Sequence, residues 1–409
     1  MPTDGTRIDL RQRLLEADEQ RVAGDLVRRR RHISQCHEAF VRCDGQRLRN
    51  FAGNDYLGLA HHPAVVAAMQ VAAKNCGVGA GASHAVCGHH GEHSALEHAV
   101  ADWLGYPRAL LFGSGYLANL AVVQALLQPG DVCLQDKLDH ASLIDGARLA
   151  QAKIVRYPHA DAAAALRQAQ AHPDGALLIA TDGVFSMDGD VAPLPELATL
   201  AAQQRGVLYV DEAHAAGVIG PDGRGSAAAA GLTSEQAPLL LVTLGKALGT
   251  CGAVLVGPDW LIEHIAQTAR TYIFTTAAPP ALAVAALTAL KLSREEAWRR
   301  DKLHALIARF RAGAHARGLR LLDSHTPIQP LPLGDNALAM QAAHDLQERG
   351  FLVGAIRPPS VPPGGARLRI TLSAAHSEAD VDALLAALEP LAAQMETRRD
   401  AAGGDEAAH

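Results

Sequence analysis

From Pro63 onward, short apolar runs alternate with alanine-rich stretches whose composition favours helix. The runs are bounded by Gly, Pro or Asp, and they occur at residues 109–112, 132–134, 176–180, 207–210, 239–243 and 253–256. Because these runs lack polar alternation and are separated by helices, they predict strands that are buried on both faces of a sheet. The pattern therefore predicts an α/β fold with a mainly parallel central sheet flanked by helices.

The two ends of the chain have patterns of their own. Apolar positions between Asp9 and Arg31 are spaced loosely as in an amphipathic helix, and around Pro279-Pro280 a long Ala/Leu helix leads into a charged segment. We predict an N-terminal helical arm over residues 1–50, a large domain over 51–290, a smaller C-terminal α+β domain over 291–397 and a flexible polar tail over 398–409.

Composition narrows the class of protein. The chain has 49% hydrophobic and 20% charged residues and a formal net charge of -6, which allows a sizeable core and gives no field that favours nucleic acid. Its six cysteines form no Cys-x-x-Cys pair, which argues against a disulfide framework or a structural zinc site. We find neither a signal peptide nor an apolar stretch approaching 18 residues, and we expect a cytoplasmic protein without membrane partners.

Lys246 is the first candidate for chemistry. It follows the strand-like run that ends at Thr243 and is flanked by Gly245 and Gly249. A lysine in such a place can be desolvated, which favours the neutral amine and makes it a nucleophile for a Schiff base. The segment is not a Walker A phosphate loop, because Ala247 stands where that motif needs Ser or Thr.

Asp211 directly follows another buried run, in the sequence Asp-Glu-Ala-His that ends at His214. A carboxylate at a strand end can pair with a protonated pyridine nitrogen and make the ring an electron sink. A nucleic-acid motor would need an upstream phosphate loop that this sequence lacks. A zinc site that adds a histidine from residues 84–98 lacks the His-Glu-x-x-His spacing, so we predict no metal.

Three further features are ambiguous on their own. The turn Gly113-Ser114-Gly115-Tyr116 between a strand and a helix could cradle a phosphate with backbone N–H groups, or it could be an ordinary turn. His140 could be a packed histidine, a helix-start residue or a ring that stacks on a cofactor. The stretch 182–190 follows a buried run and could be a simple acidic turn.

Taken in order, these motifs resemble the α-oxoamine synthases, a family of fold-type I enzymes that depend on pyridoxal phosphate. The resemblance runs from Asn54 to about Leu388, and its landmarks are residues 182–190, 211–217, 223–226 and 243–249. Members of this family condense an amino acid with an acyl-CoA and release carbon dioxide. The loop 79–88 departs from the family wording, because His84 and Ala85 leave fewer glycines there.

The resemblance implies roles for the catalytic residues. Lys246 would carry the cofactor as a Schiff base, and Asp211 would pair with the pyridine nitrogen. His140 would stack on the ring, while Ser186 and His214 would hydrogen-bond near the phenolic oxygen. The set predicted to be catalytic is therefore Lys246, His140, Asp211 and His214.

It also implies how the phosphate and a second subunit are arranged. Gly115, Tyr116 and Thr243 would hold the cofactor, mainly at its phosphate end. Thr275 and Thr276 resemble a segment that reaches the phosphate of a neighbouring subunit, so the resemblance implies a homodimer.

Substrate recognition is implied at five positions. Arg28 and Ser360 match positions that contact the acyl substrate, and Ser360 keeps the hydroxyl of a threonine that is common in relatives. Asn54, Arg357 and Arg369 are candidates for carboxylate recognition.

The C-terminal passages at residues 328–336 and 355–376 most resemble the biotin-biosynthesis branch of the family. That branch implies L-alanine as the amino acid, and pimeloyl-CoA or pimeloyl-acyl-carrier protein as the acyl donor. Two alternatives stay open at this point. One is a sister synthase with another substrate pair, of the 2-amino-3-ketobutyrate CoA ligase or serine palmitoyltransferase type, and the other is a regulator that binds pyridoxal phosphate without turnover.

Overall fold

The structure is a computed structural model that describes residues 7–24, 26–28 and 30–406. Its helices are α1 Leu10–Ala23, α2 Pro63–Cys76, α3 Gly91–Leu104, α4 Gly115–Leu126, α5 Ala141–Leu149, α6 Ala162–Gln170, α7 Leu194–Gln203, α8 Ser226–Ala229, α9 Asp259–Thr268, α10 Arg270–Ile273, α11 Pro280–Glu295, α12 Trp298–Ala316, α13 Asn336–Glu348 and α14 Glu378–Glu406. Its strands are β1 Ile33–His37, β2 Phe40–Cys43, β3 Gln46–Asn50, β4 Arg108–Phe112, β5 Val132–Asp136, β6 Lys153–Tyr157, β7 Leu177–Asp182, β8 Val207–Asp211, β9 Leu239–Thr243, β10 Ala253–Gly257, β11 Ile328–Gly334, β12 Phe351–Leu352, β13 Gly354–Ile356 and β14 Ala366–Thr371. A π-helical turn at His84–Gly88 and a 3-10 turn at Pro221–Gly223 complete the described elements.

A seven-stranded sheet forms the centre of the large domain, in the order β4-β10-β9-β8-β7-β5-β6. Strands β5 to β9 are parallel to their neighbours among themselves, whereas β10 is antiparallel to both β4 and β9. Each of the six apolar runs falls in one of these strands, with Ala176 alone lying one residue before its strand. The predicted α/β fold with a mainly parallel sheet is therefore confirmed.

Both faces of this sheet are covered, as the runs without polar alternation predict. In β8, Leu208 and Val210 belong to one apolar core, while Tyr209 between them belongs to the core on the opposite face. Successive side chains of a strand point to opposite faces, so the strand needs apolar residues at every position. In the described part of the chain, no helix is long and apolar enough to span a membrane.

The smaller domain is built from both ends of the chain, which differs from the predicted helical arm over residues 1–50. After α1, the strands β1, β2 and β3 form an antiparallel sheet, and β12 from the C-terminal part pairs with β3. A second sheet has the order β11-β14-β13. In the segment predicted as a flexible tail, α14 continues to Glu406, and residues 407–409 lie outside the described part, so the flexibility stays a prediction.

Candidate active site

The candidate residues converge at one edge of the large sheet. Asp182 ends β7, Asp211 ends β8 and Thr243 ends β9, and in the sheet register Asp182 lies beside Asp211. The tight connection from β9 to the antiparallel β10 carries Lys246. Gly249 in this turn has φ 63°, and a Cβ there would lie 2.3 Å from the backbone nitrogen of Ala60, so the close approach requires glycine.

Lys246 lies against His214. The distance from Lys246 Nζ to His214 Nε2 is 2.9 Å, and His214 Nδ1 lies 2.7 Å from the hydroxyl of Tyr56. Burial lowers the pKa of the Lys246 amine, and burial together with the nearby Lys246 and Arg369 charges lowers the pKa of His214 well below its usual value. A lysine held in this way can present a neutral amine, and an uncharged imidazole lies beside it.

Asp211 is fixed by hydrogen bonds to both carboxylate oxygens. Asn119 Nδ2 donates to Oδ2 over 2.8 Å, and the Ala213 N–H donates to Oδ1 over 3.0 Å. Asn119 is itself oriented, because the Tyr209 hydroxyl donates to its Oδ1 over 2.5 Å and its Nδ2 also donates to Ser142 Oγ over 2.8 Å. The carboxylate therefore has one fixed orientation in a buried setting.

Two further buried carboxylates lie near Asp211, and the sequence reasoning missed both. Burial raises the pKa of Asp182 well above its usual range, and the negative charges of Asp211 and Asp139 raise it further. Burial also raises the pKa of Asp139. Asp182 Oδ2 is buried without a hydrogen-bond partner in the described structure. The place of Asp182 at the end of β7 and of Asp139 shortly after β5 was visible in the sequence, but their crowding was not.

His140 caps α5, and its other predicted role stays a prediction. Its Nδ1 lies 2.7 Å from Ser142 Oγ and also accepts the Ser142 N–H over 3.3 Å. Burial lowers the pKa of His140. The Tyr116 ring lies 6.5 Å from the His140 ring in an edge-to-face arrangement, and the Tyr116 hydroxyl donates to Asp145 over 2.5 Å. The structure thus brings Tyr116 and His140 together at the start of two helices.

The N-terminus of α4 packs closely on the end of β9. A Cβ added to Gly115 would lie 2.8 Å from Thr243 Cγ2, so a larger residue would push the helix away from the strand. Thr243 Oγ1 donates to the Ala213 carbonyl over 3.3 Å. The backbone N–H groups at the start of a helix of this length suit an anion such as phosphate.

Arg369 contacts two of the other predicted residues, Ser186 and Asn54. Its Nε donates to the Ser186 carbonyl over 2.6 Å, and its Nη1 and Nη2 donate to Asn54 Oδ1 over 3.2 and 3.3 Å. The Tyr56 hydroxyl donates to the same Asn54 oxygen over 3.2 Å, which connects this group to His214. Tyr56 was missed as a site residue, although it lies in the motif where the resemblance begins.

Arg28 and Ser360 meet at the outer side of the smaller domain. Arg28 Nη2 donates to Ser360 Oγ over 3.3 Å, and both residues are exposed. The Ser360 N–H donates to the carbonyl of Arg357 over 3.1 Å. The structure therefore places these three residues together. Arg28 and Ser360 are 332 positions apart in the sequence.

The histidines at residues 84–98 lie apart from this site. Nitrogen atoms of His84, His89 and His93 come within 4.8 Å of one another, and this cluster contains neither Asp211 nor His214. Burial lowers the pKa of His84 to about 4 and, less strongly, the pKa values of His89 and His93. The prediction of no metal considered zinc only at Asp211 and His214. It did not consider these three histidines together as ligands.

A known protein family matches most of the chain. Residues 47–388 match the family model for aminotransferase class I and II. The chain belongs to this family. It is 57% identical to 8-amino-7-oxononanoate synthase of Stenotrophomonas maltophilia, over 93% of this chain and 94% of that protein.

Solved structures agree with the assignment. A serine palmitoyltransferase from S. paucimobilis with a bound pyridoxal-phosphate compound superposes with a TM-score of 0.90 at 28% identity, over 95% of this chain and all of that one. An 8-amino-7-oxononanoate synthase from Francisella tularensis gives a TM-score of 0.75 at 32% identity, over 86% of this chain and 99% of that one. The predicted fold-type I transferase fold, the α-oxoamine synthase resemblance and the pyridoxal-phosphate cofactor are confirmed.

Proposed function

We propose that this chain condenses L-alanine with pimeloyl-CoA, or with pimeloyl-acyl-carrier protein, to give 8-amino-7-oxononanoate in biotin biosynthesis. A carbon–carbon bond forms between the alanine Cα and the thioester carbonyl, the carbon–sulfur bond breaks to release the thiol, and the alanine carboxylate leaves as carbon dioxide. The observation that carries the proposal is the Lys246 amine held against His214 at the sheet edge that also bears Asp211. The similarity to the Stenotrophomonas synthase supports this substrate pair.

The residues at the sheet edge fit pyridoxal phosphate. The close approach of Gly115 to Thr243 leaves the N-terminus of α4 beside the strand end, where the phosphate would bind. Asp211, fixed by Asn119, would hold the pyridine nitrogen in its protonated form. When bound, the cofactor supplies an electron sink for the electron pair at the alanine Cα. Lys246 would bind it covalently.

Three more residues would complete the contacts to the cofactor ring. His140, at the start of α5, would lie on the ring face, with Tyr116 nearby. His214 and Ser186 would lie on the side of the phenolic oxygen, where His214 is oriented by Tyr56. These assignments follow the family resemblance, and the hydrogen bonds around each residue support them.

Lys246 would move the proton at Cα. Because burial lowers the pKa of its amine, Lys246 has a neutral form that can accept the proton once the amino acid has taken its place. The uncharged His214, 2.9 Å from Nζ, adds no like charge that would oppose protonation of the lysine. After condensation and loss of carbon dioxide, the same amine would return a proton to Cα.

The smaller domain would bind the substrates. The Arg369 guanidinium, aligned by Ser186 and Asn54, would bind the carboxylate of the amino acid, and Arg357 is a second candidate for a carboxylate. Arg28 and Ser360, which contact each other at the exposed edge, would contact the acyl donor. The sheet edge would thus carry the reacting groups, and the smaller domain would carry the groups that bind the substrates.

A homodimer in the cytoplasm is part of this proposal. Large apolar side chains are exposed near the loop 77–90 and the segment after α10, among them Val78 at 86%, Val86 at 77% and Phe274 at 71%. Such a patch favours burial against another protein surface. Thr275 and Thr276 directly follow Phe274, so a second copy on this patch would bring them toward its site.

The decisive experiment supplies the holoenzyme with L-alanine and pimeloyl-CoA and measures free thiol together with the mass of the product. We expect thiol release that requires both substrates and a product with the mass of 8-amino-7-oxononanoate. Release with glycine or serine and another acyl-CoA, but not with this pair, would instead support a sister synthase. Cofactor absorbance that responds to amino acids without thiol release from any pair would support a non-catalytic regulator.

A further inference from the structure

Three histidines, two in the loop before α3 and one in its first turn, are arranged around a small common space. His84 Nδ1 lies 2.9 Å from His89 Nδ1, and the nitrogens of His84, His89 and His93 lie within 4.8 Å of one another. Two nitrogens bound to one tetrahedral zinc ion, at bond lengths of about 2.0–2.1 Å, are about 3.3 Å apart. The observed spacing brackets that value, so small ring rotations bring all three nitrogens to bonding distance.

The outward-facing nitrogens of two of these rings already have oxygen partners. His93 Nε2 lies 2.8 Å from the carbonyl of Ala278, and His89 Nε2 lies 2.8 Å from Ser94 Oγ. An N–H that donates to an oxygen on one side of the ring leaves the other nitrogen, Nδ1, as a lone-pair donor toward the cluster. Metal-binding histidines are commonly oriented in this way.

The third ring and the backbone complete the arrangement. The His84 ring stacks on Tyr272 at 4.8 Å with 9° between the planes, which holds its edge toward His89. His93 Nδ1 also accepts the His90 N–H over 3.0 Å, and a metal ion would take the place of that bond. The freed N–H precedes the first turn of α3, where water can reach it because His90 is only partly buried.

We propose that His84, His89 and His93 bind one divalent transition-metal ion, with Zn²⁺ as the preferred occupant and water as the fourth ligand. Imidazole nitrogens suit zinc, copper and nickel, whereas calcium and magnesium prefer oxygen ligands. The Glu97 carboxylate lies 3.9 Å from His89 Nε2, and burial raises its pKa to about 7, so it adds a negative charge near the bound cation above that pH.

The bound ion would link segments that are distant in sequence. His93 already bonds to Ala278, and the Ala277 N–H donates to the Ala82 carbonyl over 2.9 Å. Metal ligation would therefore fix the loop 79–90 to α3 and to the chain after α10. This site lies outside the catalytic residues, so the inference does not depend on the reaction that the enzyme performs.

The test uses the untagged holoenzyme and Zn²⁺ alone, with equilibrium dialysis to measure bound metal. We expect about one ion per chain in the wild type, and a loss of affinity of more than about 100-fold in His89→Gln and in His84→Asn, since each removes a ligand. His98→Gln is the matched control, because His98 is an exposed histidine of α3 outside the cluster. Circular dichroism confirms that each variant is folded.

Co²⁺ provides a second measurement that reports geometry. We expect strong visible absorption of tetrahedral Co²⁺ in the wild type and in His98→Gln, and none in His89→Gln. Zn²⁺ should also raise the melting temperature of the wild type but not of His89→Gln. Equal binding by all variants would place the ion elsewhere, for example at Lys246 and His214, and would overturn the proposal, as would the absence of binding by the wild type.

Discussion

Lys246, Asp211 and His214 lie at strand ends of the large sheet, whereas Arg28 and Ser360 lie on segments outside it. The first group is buried or partly buried: Asp211 and His214 each have two hydrogen-bond partners, and Lys246 lies against His214. The second group is exposed, and one bond of 3.3 Å joins its two side chains. A single exposed bond is worth little, so the acyl-binding edge can adapt to a ligand more readily than the buried groups can.

Lys246→Ala tests the buried side of this comparison most severely. We expect turnover to fall by more than about 10⁴-fold, because the general base and the covalent attachment of the cofactor are lost together. Thiol release and denaturing mass spectrometry after borohydride reduction measure the two losses. Lys137→Ala, at an exposed lysine, should behave as wild type. Near-normal activity of Lys246→Ala would remove this residue from the mechanism.

We expect Asp211→Asn to cause the second-largest loss of activity. Asparagine keeps the shape and one of the two hydrogen bonds that the carboxylate accepts, but it removes the charge that favours a protonated pyridine nitrogen. We expect a loss of roughly 10²–10³-fold in kcat, comparable with the loss of one preorganised electrostatic contact, with the cofactor still attached to Lys246. Asp174→Asn, in an exposed turn, is the control. Turnover close to wild type would contradict the assignment.

His376 tests how the substrate side is held together. It stacks on Phe51 at 4.0 Å, and its ring nitrogens contact the Asn50 carbonyl and the Ser373 N–H, both over 3.0 Å. Burial lowers the pKa of His376 to about 4, so the folded chain favours the neutral ring. Its contribution is therefore present above the unfolded pKa of about 6.5 and is lost as pH falls toward 4.

We expect His376 to account for about 3 kcal/mol of the decrease in the free energy of unfolding between about pH 6.5 and about pH 4. Urea unfolding at a series of pH values measures the decrease, and His376→Gln provides the comparison because glutamine does not titrate. The variant should lose stability less steeply with acid than the wild type. Identical slopes would show that His376 is not the group responsible.

Ser360→Ala should give the smallest effect and tests the exposed side. Removing one exposed hydroxyl next to Arg28 should raise KM for the acyl donor by less than about fivefold and leave kcat unchanged. Steady-state kinetics separates the two constants, with Ser234→Ala as the control at another exposed serine. A large decrease in kcat would mean that the two sides of the site are not separate.

The sequence predicted the large sheet well because each strand there is marked by a continuous apolar run. β1 was missed because its five residues, Ile33–His37, are all exposed and give no periodic signal. β11 was missed because Pro330 and Pro332 suggest an interruption, yet in the described sheet this strand lies at an edge, where proline is tolerated.

The candidate site divides in the same way. Lys246 and Asp211 could be predicted, because each lies at or shortly after the end of an apolar run and carries a distinctive side chain. Asn119 and Tyr56 could not, since their importance comes only from the atoms that they contact. The pairing of Arg369 with Asn54 spans 315 positions, and a distance of that kind leaves no mark in the local pattern.

The pairing of β3 with β12 affects the order in which the protein folds during translation. Arg49 and Asn50 pair with Phe351 and Leu352, so the first-made strands gain that neighbour only after most of the chain has been translated. Domains form as units during synthesis, and contacts between distant segments close late. The large sheet can assemble while translation continues, whereas the substrate-binding side must wait until the C-terminal third has emerged.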